Sequence, residues 1–401
     1  MKLSSDVQRI IKGEGKSVPI NDIEPELARL WKAAIETSGE KSDDEIIRAC
    51  ALNLMVYTSD KREAENVAAI LDQLVIQHPC RAIVMIADSE SSGPSTSPDL
   101  QASISTHHHA TATGGHHLYC EQVTMSAKGE VVEELPSIVI PLLIPDLPVF
   151  LWWYGDPPFD DELFHRFVST SDRLILDSTQ FQASNVGFAK LSDLIRNGVQ
   201  GVPDQTICSD LTWSRLTPWR LLTAQFFDPQ NLRPYLDRLN RIIFEYQISE
   251  DDSQLPAQAF LFAGWLASRL KWQLPPRSAG PWHKIEGHHH FLHLYKDDQP
   301  VTIEIRGARG SHVGATGRTP LLLSLKLIAD EEPSGLFSIT QTDDPLCAEV
   351  VIEVEQMTPM KRVVRLEELD LLHLIDKELE ILWQDVVYEE ALEMAADLMR
   401  G

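Results

Sequence analysis

By type and spacing, the histidines of this sequence come nearest to a chemical site. His107, His108 and His109 stand in a row, with His116 and His117 close behind. A second run holds His288, His289 and His290, followed by His293. Imidazole is the commonest transition-metal ligand, so zinc or nickel is the ion such runs would hold. The spacing works against it. Successive side chains of a strand point to opposite faces, and neither HExxH nor CxxC spacing occurs nearby. Both runs read more plainly as a polar loop and a partly exposed strand. No metal and no cofactor is assigned.

A glycine-rich stretch, Gly307-Ala308-Arg309-Gly310-Ser311-His312-Val313-Gly314, follows a strand-like run. A P-loop needs GxxxxGK[ST], so that amides cradle phosphates and a lysine neutralises them. That lysine is missing, and no GxGxxG stands between a strand and a helix. The stretch reads as a flexible hairpin or loop. Arg306, Arg309 and Arg318 still offer guanidinium forks that match phosphate. An enzyme or sensor that binds a sugar phosphate through them is the alternative function. The serines near His107 and His312 lack a GxSxG context, and pairing carboxylates as acid and base requires geometry. No catalytic residue is assigned, and an enzyme is not expected.

The aromatic clusters point elsewhere. Trp152-Trp153-Tyr154 closes a strand-like run, and residues 210–220 hold Trp213, Arg215, Trp219 and Arg220 together. Trp and Arg dominate binding hot spots. Trp152, Trp153, Trp213, Arg215, Trp219 and Arg220 therefore form the candidate partner-binding surface. Packing at a domain boundary is their competing role.

Composition narrows the partner. Of 401 residues, 60 are acidic and 35 basic, for a net charge of −25. Nucleic acid requires a basic footprint, so it is excluded, as is docking on anionic lipid. Hydrophobic residues make up 43% and charged residues 24%, an ordinary globular balance. Five cysteines, Cys50, Cys80, Cys120, Cys208 and Cys347, lie no closer than 30 positions apart. Such scatter reads as reduced cytosolic thiols. The N-terminus has no signal-peptide run. The most apolar stretch, 138–153, is broken by Pro141, Pro145, Asp146 and Pro148, too interrupted for a membrane-spanning helix. A cytoplasmic protein is expected.

The elements that must position these residues follow from periodicity. Residues 24–37 read as a helix with Leu27, Leu30, Trp31 and Ala34 on one face. Residues 49–58 and 81–87 are short apolar runs with a helix over 63–77 between them, the pattern of a βαβ unit. His78-Pro79 ends that helix. Strands are predicted over 100–106, 119–127, 149–154 and 173–177, with helices over 135–143 and 160–168. This alternation predicts a mostly parallel sheet flanked by helices. From about residue 185 the pattern changes. Helices are predicted over 216–227, 232–240 and 257–272. Strands follow over 288–295, 301–306, 321–328, 336–342 and 348–354, and the tail 366–399 reads as one long helix or two. The expected architecture is α/β, with an N-terminal domain over 1–185 and a C-terminal α+β domain with an antiparallel sheet over 186–401.

Six segments carry a family likeness. They are HPCRAIV at 78–84, HHLYCEQVTMSAKG at 116–129, PLLIPDLPVFLWW at 141–153, SDRLILDS at 171–178, DLTWSRLTPWR at 210–220 and FLFAGWLASRLKW at 260–272. Through them the sequence resembles the OpcA family, the glucose-6-phosphate dehydrogenase assembly proteins of cyanobacteria and actinobacteria. The resemblance implies a non-catalytic protein that binds glucose-6-phosphate dehydrogenase, promotes its assembly or allosteric activation, and supports the oxidative pentose phosphate pathway. The cyanobacterial members also resemble redox-responsive proteins acting through cysteines. No pair of cysteines close in sequence is present here to carry that property over.

Overall fold

The computed structural model describes residues 15–38, 45–48, 50–59, 61–88, 100–110, 116–199, 206–248, 255–276, 282–308, 321–367, 369–381 and 383–400. The chain forms two compact units that interleave in sequence. The first takes Met1–Leu176, Asn197–Ser209 and Leu371–Trp383; the second takes Asp177–Arg196, Asp210–Asp370 and Gln384–Gly401. Where the sequence pattern draws one boundary near 185, the chain leaves the first unit at 177 and later returns to it twice.

The first sheet is built from β1 (Lys16–Val18), β2 (Glu45–Arg48), β3 (Leu52–Thr58), β4 (Cys80–Asp88), β5 (Leu100–Ala110), β6 (His116–Lys128), β7 (Val149–Tyr154), β8 (Arg173–Leu176) and β9 (Ile207–Asp210). Its order is β1-β5-β6-β4-β3-β7-β8-β9, with β2 pairing β6. Strands β6, β4, β3, β7 and β8 run parallel to one another. Strands β5 and β1 add antiparallel pairs. Counted along the chain from β3, skipping the antiparallel β5, the order reads third, second, first, fourth, fifth, sixth. That is the doubly wound order of dinucleotide-binding sheets. Strands β3 and β4 are apolar along nearly their whole length and buried, as expected for parallel strands covered on both faces.

Helices α1 (Ile23–Ser38), α2 (Lys61–Gln77), α3 (Leu135–Val139) and α4 (Glu162–Val168) belong to this unit. Helix α1 buries Ile23, Leu27, Leu30 and Trp31, the stripe expected from its spacing. Helix α2 buries Val67, Leu71, Leu74 and Val75 at helical spacing. A charged cluster lies inside this unit. Buried Arg81 of β4 donates to Glu121 of β6 (Nε to Oε2, 2.7 Å), to the Leu142 carbonyl (2.6 Å) and to Glu24 of α1. The Trp31 indole also donates to Glu121. Glu121 is fully buried, so losing Arg81 would strand a charge in the core.

The second unit begins with α5 (Ser184–Asn197), α6 (Leu211–Arg215), α7 (Thr217–Gln225) and α8 (Ala257–Leu270). In the tail, α9 (Leu371–Glu380) belongs to the first unit and α10 (Val386–Met399) to the second. The tail is therefore two helices. The second sheet contains β10 (Arg241–Gln247), β11 (His283–Glu286), β12 (His289–Lys296), β13 (Gln299–Ala308), β14 (Leu322–Ala329), β15 (Gly335–Gln341), β16 (Cys347–Val354) and β17 (Met360–Arg365). Its order is β11-β12-β13-β10-β14-β15-β16-β17. Among the described residues every pairing is antiparallel except β10 with β13. The helix expected over 232–240 is a 3-10 turn, Arg233–Arg238, that leads into β10.

One face of this sheet meets helices. Phe244 lies edge-on to Phe262 of α8, with ring centroids 5.6 Å apart. Phe337 packs on Phe226, Phe227 and Tyr235. Helix α8 is buried at nearly every position from Ala257 to Ala267. It lies against α10 at Gly264, where an added Cβ would fall 2.2 Å from the Ala391 carbonyl oxygen. That close approach, not a turn, requires the glycine.

Candidate functional site

In an open doubly wound sheet, ligands bind outside the carboxyl ends of the parallel strands. The first turn after β3 would carry the glycine fingerprint. Here it reads Thr58-Ser59-Asp60-Lys61-Arg62-Glu63, without glycine. The Thr58 hydroxyl donates to Glu63 Oε2 at 3.0 Å. Glu63 stands in the first turn of α2, where a dinucleotide enzyme offers bare amides to a pyrophosphate. A carboxylate there interacts favourably with the helix dipole and repels phosphate. Asp88 does end β4, where a ribose-binding acid stands in such enzymes, but the phosphate cradle beside it is replaced.

In the second unit, two of the family blocks interlock. Asp177 follows β8 and caps the 3-10 turn Ser178–Gln180. Asp210 ends β9 and caps α6. Arg215 forks onto Asp177, Nη1 to Oδ1 at 2.8 Å and Nη2 to Oδ2 at 2.7 Å. Asp177 also accepts from the hydroxyls of Thr179 (2.6 Å) and Thr212 (3.0 Å). Asp210 accepts from the backbone amides of Ser178 (3.0 Å) and Thr212 (2.9 Å). Burial would raise the Asp177 carboxyl, but the Arg215 fork and the Thr179 bonds hold it below the usual range. Burial, with Asp177 beside it, pushes Asp210 up to about 6. Arg215 thus holds Asp177 ionised, and Asp210, buried beside that charge, is the more readily protonated of the two.

The structure buries the four tryptophans of the tryptophan–arginine set within their units and leaves Arg215 and Arg220 partly exposed. Trp152 and Trp153 of β7 are 1% and 2% exposed. Trp153 stacks on Tyr57 at 3.9 Å and meets Phe164 edge-on. Trp213 and Trp219 are 5% and 7% exposed. The Trp213 indole donates to Asp385 Oδ2 at 2.8 Å, and the Arg220 guanidinium lies 3.4 Å over its ring. Burial lowers Arg220 to about 10. Within the second unit Asp210 caps α6, Thr212 and Arg215 hold Asp177, and the Trp213 indole reaches Asp385 at the start of α10.

The remaining candidates separate. His289 and His293 are exposed while His290 is buried, the alternation expected of a strand. His290 faces His283, Nε2 of His283 to Nδ1 of His290 at 3.0 Å. Burial and His283 lower it to about 4, so His290 is neutral at physiological pH. His107, His108 and His109 lie on β5, and His116 and His117 on β6; their side chains fall outside the described residues. Arg306 on β13 is engaged with Glu304, and Arg309 and Arg318 lie outside the described residues. The arginines considered for a sugar phosphate therefore include one already neutralised. Parallel strands β4 and β6 place Cys80 and Cys120 on neighbouring strands, next to the Arg81–Glu121 pair. Sequence spacing could not show that. Both are free thiols, and burial raises both.

Residues 72–193 match the family profile described as the N-terminal domain of the glucose-6-phosphate dehydrogenase subunit. Residues 206–392 match the profile described as the C-terminal domain of the same protein. Proteins named OxPP cycle protein OpcA are similar along most of the chain. The one from Nostoc punctiforme is 26% identical over 335 residues, 82% of this chain and 67% of the relative. The one from Synechocystis is 25% identical over 384 residues, 94% of this chain and 74% of the relative. Among solved structures, an oxidoreductase from Sinorhizobium meliloti aligns with TM-score 0.43 at 10% identity, over 88% of this chain and 89% of that one. Glucose-6-phosphate 1-dehydrogenase from Mycobacterium avium aligns with TM-score 0.40 at 11% identity, over 87% and 90%.

Proposed function

The chain belongs to the OpcA family of glucose-6-phosphate dehydrogenase assembly proteins, and from that premise we propose that it is a non-catalytic cytoplasmic partner that binds the dehydrogenase and favours its more active form. The observation that carries the non-catalytic part is the turn after β3. A dinucleotide topology whose phosphate cradle is filled by a Thr58–Glu63 hydrogen bond is a scaffold rather than a cofactor site. Rate control then works by binding one conformation of the enzyme better than another. About 1–3 kcal/mol of differential affinity is enough. No helix among the described residues is long and apolar enough to cross a membrane.

With the tryptophans internal, the contact is assigned to the sheet face of the second unit that points away from α8. Arg241, Arg306, Lys326 and Lys361 there alternate with Glu245, Glu304, Glu349 and Glu353 across neighbouring strands. Most are already paired: Arg241 and Arg306 with Glu304, Lys326 with Glu245, Lys361 with Glu349. On a chain of net charge −25, a balanced face lets another acidic protein approach with little repulsion. Eight strands spaced about 4.8 Å apart, with three outward positions each, span roughly 34 by 20 Å. That is about 700 Å², close to the roughly 800 Å² per partner of a standard interface.

The test is co-elution of the full chain with the dehydrogenase on a sizing column, coupled to turnover of glucose 6-phosphate. Co-elution with raised turnover, and no turnover by this chain alone, is expected. Separate elution at micromolar concentrations, or turnover by the isolated chain, overturns the reading.

A further inference from the structure

One cluster of potential metal ligands takes no part in either the Asp177–Arg215 group or the outer sheet face. His78 follows α2 directly, and Asp376 and Glu380 lie one turn apart on α9, so they share a helix face. The His78 ring Nε2 is 2.9 Å from Asp376 Oδ1. One ligand atom from each of the three residues lies within 4.8 Å of the other two. His78 and Asp376 are partly buried, and Glu380 is exposed.

We propose that His78, Asp376 and Glu380 bind a divalent first-row transition metal, zinc foremost, as a structural cross-link between the end of α2 and α9. Zinc holds imidazole nitrogen and carboxylate oxygen at about 2.0–2.2 Å, so ligand atoms on one tetrahedral ion sit roughly 3.3–3.6 Å apart. His78 and Asp376 already stand near that separation. Glu380, long and exposed, closes the remaining gap by a rotamer change. One nitrogen with two carboxylate oxygens suits zinc or manganese, whereas magnesium and calcium take oxygen alone. Three protein ligands leave a position for water.

Place in the fold argues for fastening rather than catalysis. Pro79 follows His78 and β4 starts at Cys80, so the group sits at the amino ends of the parallel strands. The ligand crevice of such sheets lies at the opposite ends. Helix α9 belongs to the last passage of the chain through the first unit. One anchor of that passage is Arg173, which donates to the Trp383 carbonyl at 3.0 Å and stands 3.9 Å from Glu378. Another is the His78–Asp376 contact. Alone, a partly exposed side-chain hydrogen bond contributes little; an ion shared by three ligands makes it a cross-link. The ligands come from positions 298 apart in sequence, so no motif spacing announces them.

The experiment uses the full chain, purified without an affinity tag and stripped with chelator. Zinc is titrated with elemental analysis of the bound metal, and cobalt(II) is used as a visible-absorption probe. One equivalent per chain is expected, with a rise in melting temperature. Glu380→Gln and Asp376→Asn should each weaken binding by at least about tenfold and remove the rise. Because Glu380 is exposed, Glu380→Gln keeps the test valid if Asp376→Asn fails to fold. His289→Ala with His293→Ala should leave the equivalent in place. No bound equivalent, one that survives Glu380→Gln, or one lost with His289 and His293 overturns the proposal.

Discussion

Arg215→Ala separates a structural arginine from an interface arginine. In the wild type, Arg215 covers both oxygens of Asp177, which is 7% exposed at its side chain against 25% for Arg215. Removing one partner of a buried pair costs about 3–5 kcal/mol. Here Asp177 keeps the Thr179 and Thr212 hydrogen bonds, and Arg215 is partly hydrated, so the cost falls to about 2–3 kcal/mol. For a unit of this size that is a fall of roughly 5–10 °C in melting temperature. The pH dependence has a definite sign. Asp177 is held below its unfolded value, so its contribution is present above about pH 4 and is lost as pH falls further. The gap between variant and wild type should therefore be full at pH 7 and shrink below about pH 4. Adding Asp177→Asn removes the stranded charge and should recover at least half of the loss. The assay is calorimetry of single and double variants across pH, beside dehydrogenase binding of each. A variant that melts within about 1 °C of wild type and binds the dehydrogenase tenfold more weakly would refute the argument and return Arg215 to the interface.

Asp210→Asn should flatten stability between about pH 4 and 7. With Asp210 raised to about 6, its favourable protonated form is complete below about pH 4 and lost as pH rises through that value. The wild type therefore gives up about 3 kcal/mol over that span, which the variant does not, as read from urea midpoints at each pH. Gly264→Val should destabilise the second unit by about 3 kcal/mol or more, because its side chain would overlap the Ala391 carbonyl; unaltered melting would show that α8 and α10 pack otherwise. Lys326→Glu with Lys361→Glu should weaken dehydrogenase binding by at least about tenfold, with the melting temperature shifted little, because both lysines and their carboxylate partners are partly exposed. Unchanged affinity in a titration calorimeter would move the contact off this sheet face while leaving the partner itself unaffected.

The parallel strands were legible because burial on both faces writes them as largely apolar runs, such as 54–57 and 82–87. Strand β10 was not. Its sequence RIIFEYQ directly follows Leu232, Tyr235, Leu236 and Leu239, whose spacing mimics a helix but belongs to a 3-10 turn. Strand β17 is almost wholly exposed, so no alternation marks it. Helix α5 carries Gly187 in its interior, a residue that lowers helix propensity. The glycine is needed because an added Cβ would fall 2.2 Å from the Phe181 ring. The composition of residues 210–220 was plain, but its role depended on Asp177 and Asp385, 38 and 172 positions from their partners. Periodicity cannot carry such distances.

Where the positive charge went ties fold to function. Arg81, Arg173 and Arg215 are drawn inward against Glu121, Glu378 and Asp177. Each takes one carboxylate with it, so the excess of acidic over basic residues, a net charge of −25, is carried by the rest of the chain. Such an excess keeps the chain soluble and repels other acidic molecules. The β10–β16 face is different because its carboxylates come with their own cations. Pairs formed before contact need no countercharge from the partner, and ordering them costs nothing further on association. In the first sheet, the same kind of exchange puts the Glu63 carboxylate where phosphate would sit. Internal pairing in the cores, a carboxylate where phosphate would sit and a pre-neutralised outer face all fit the proposed role, in which a doubly wound scaffold acts through its surface.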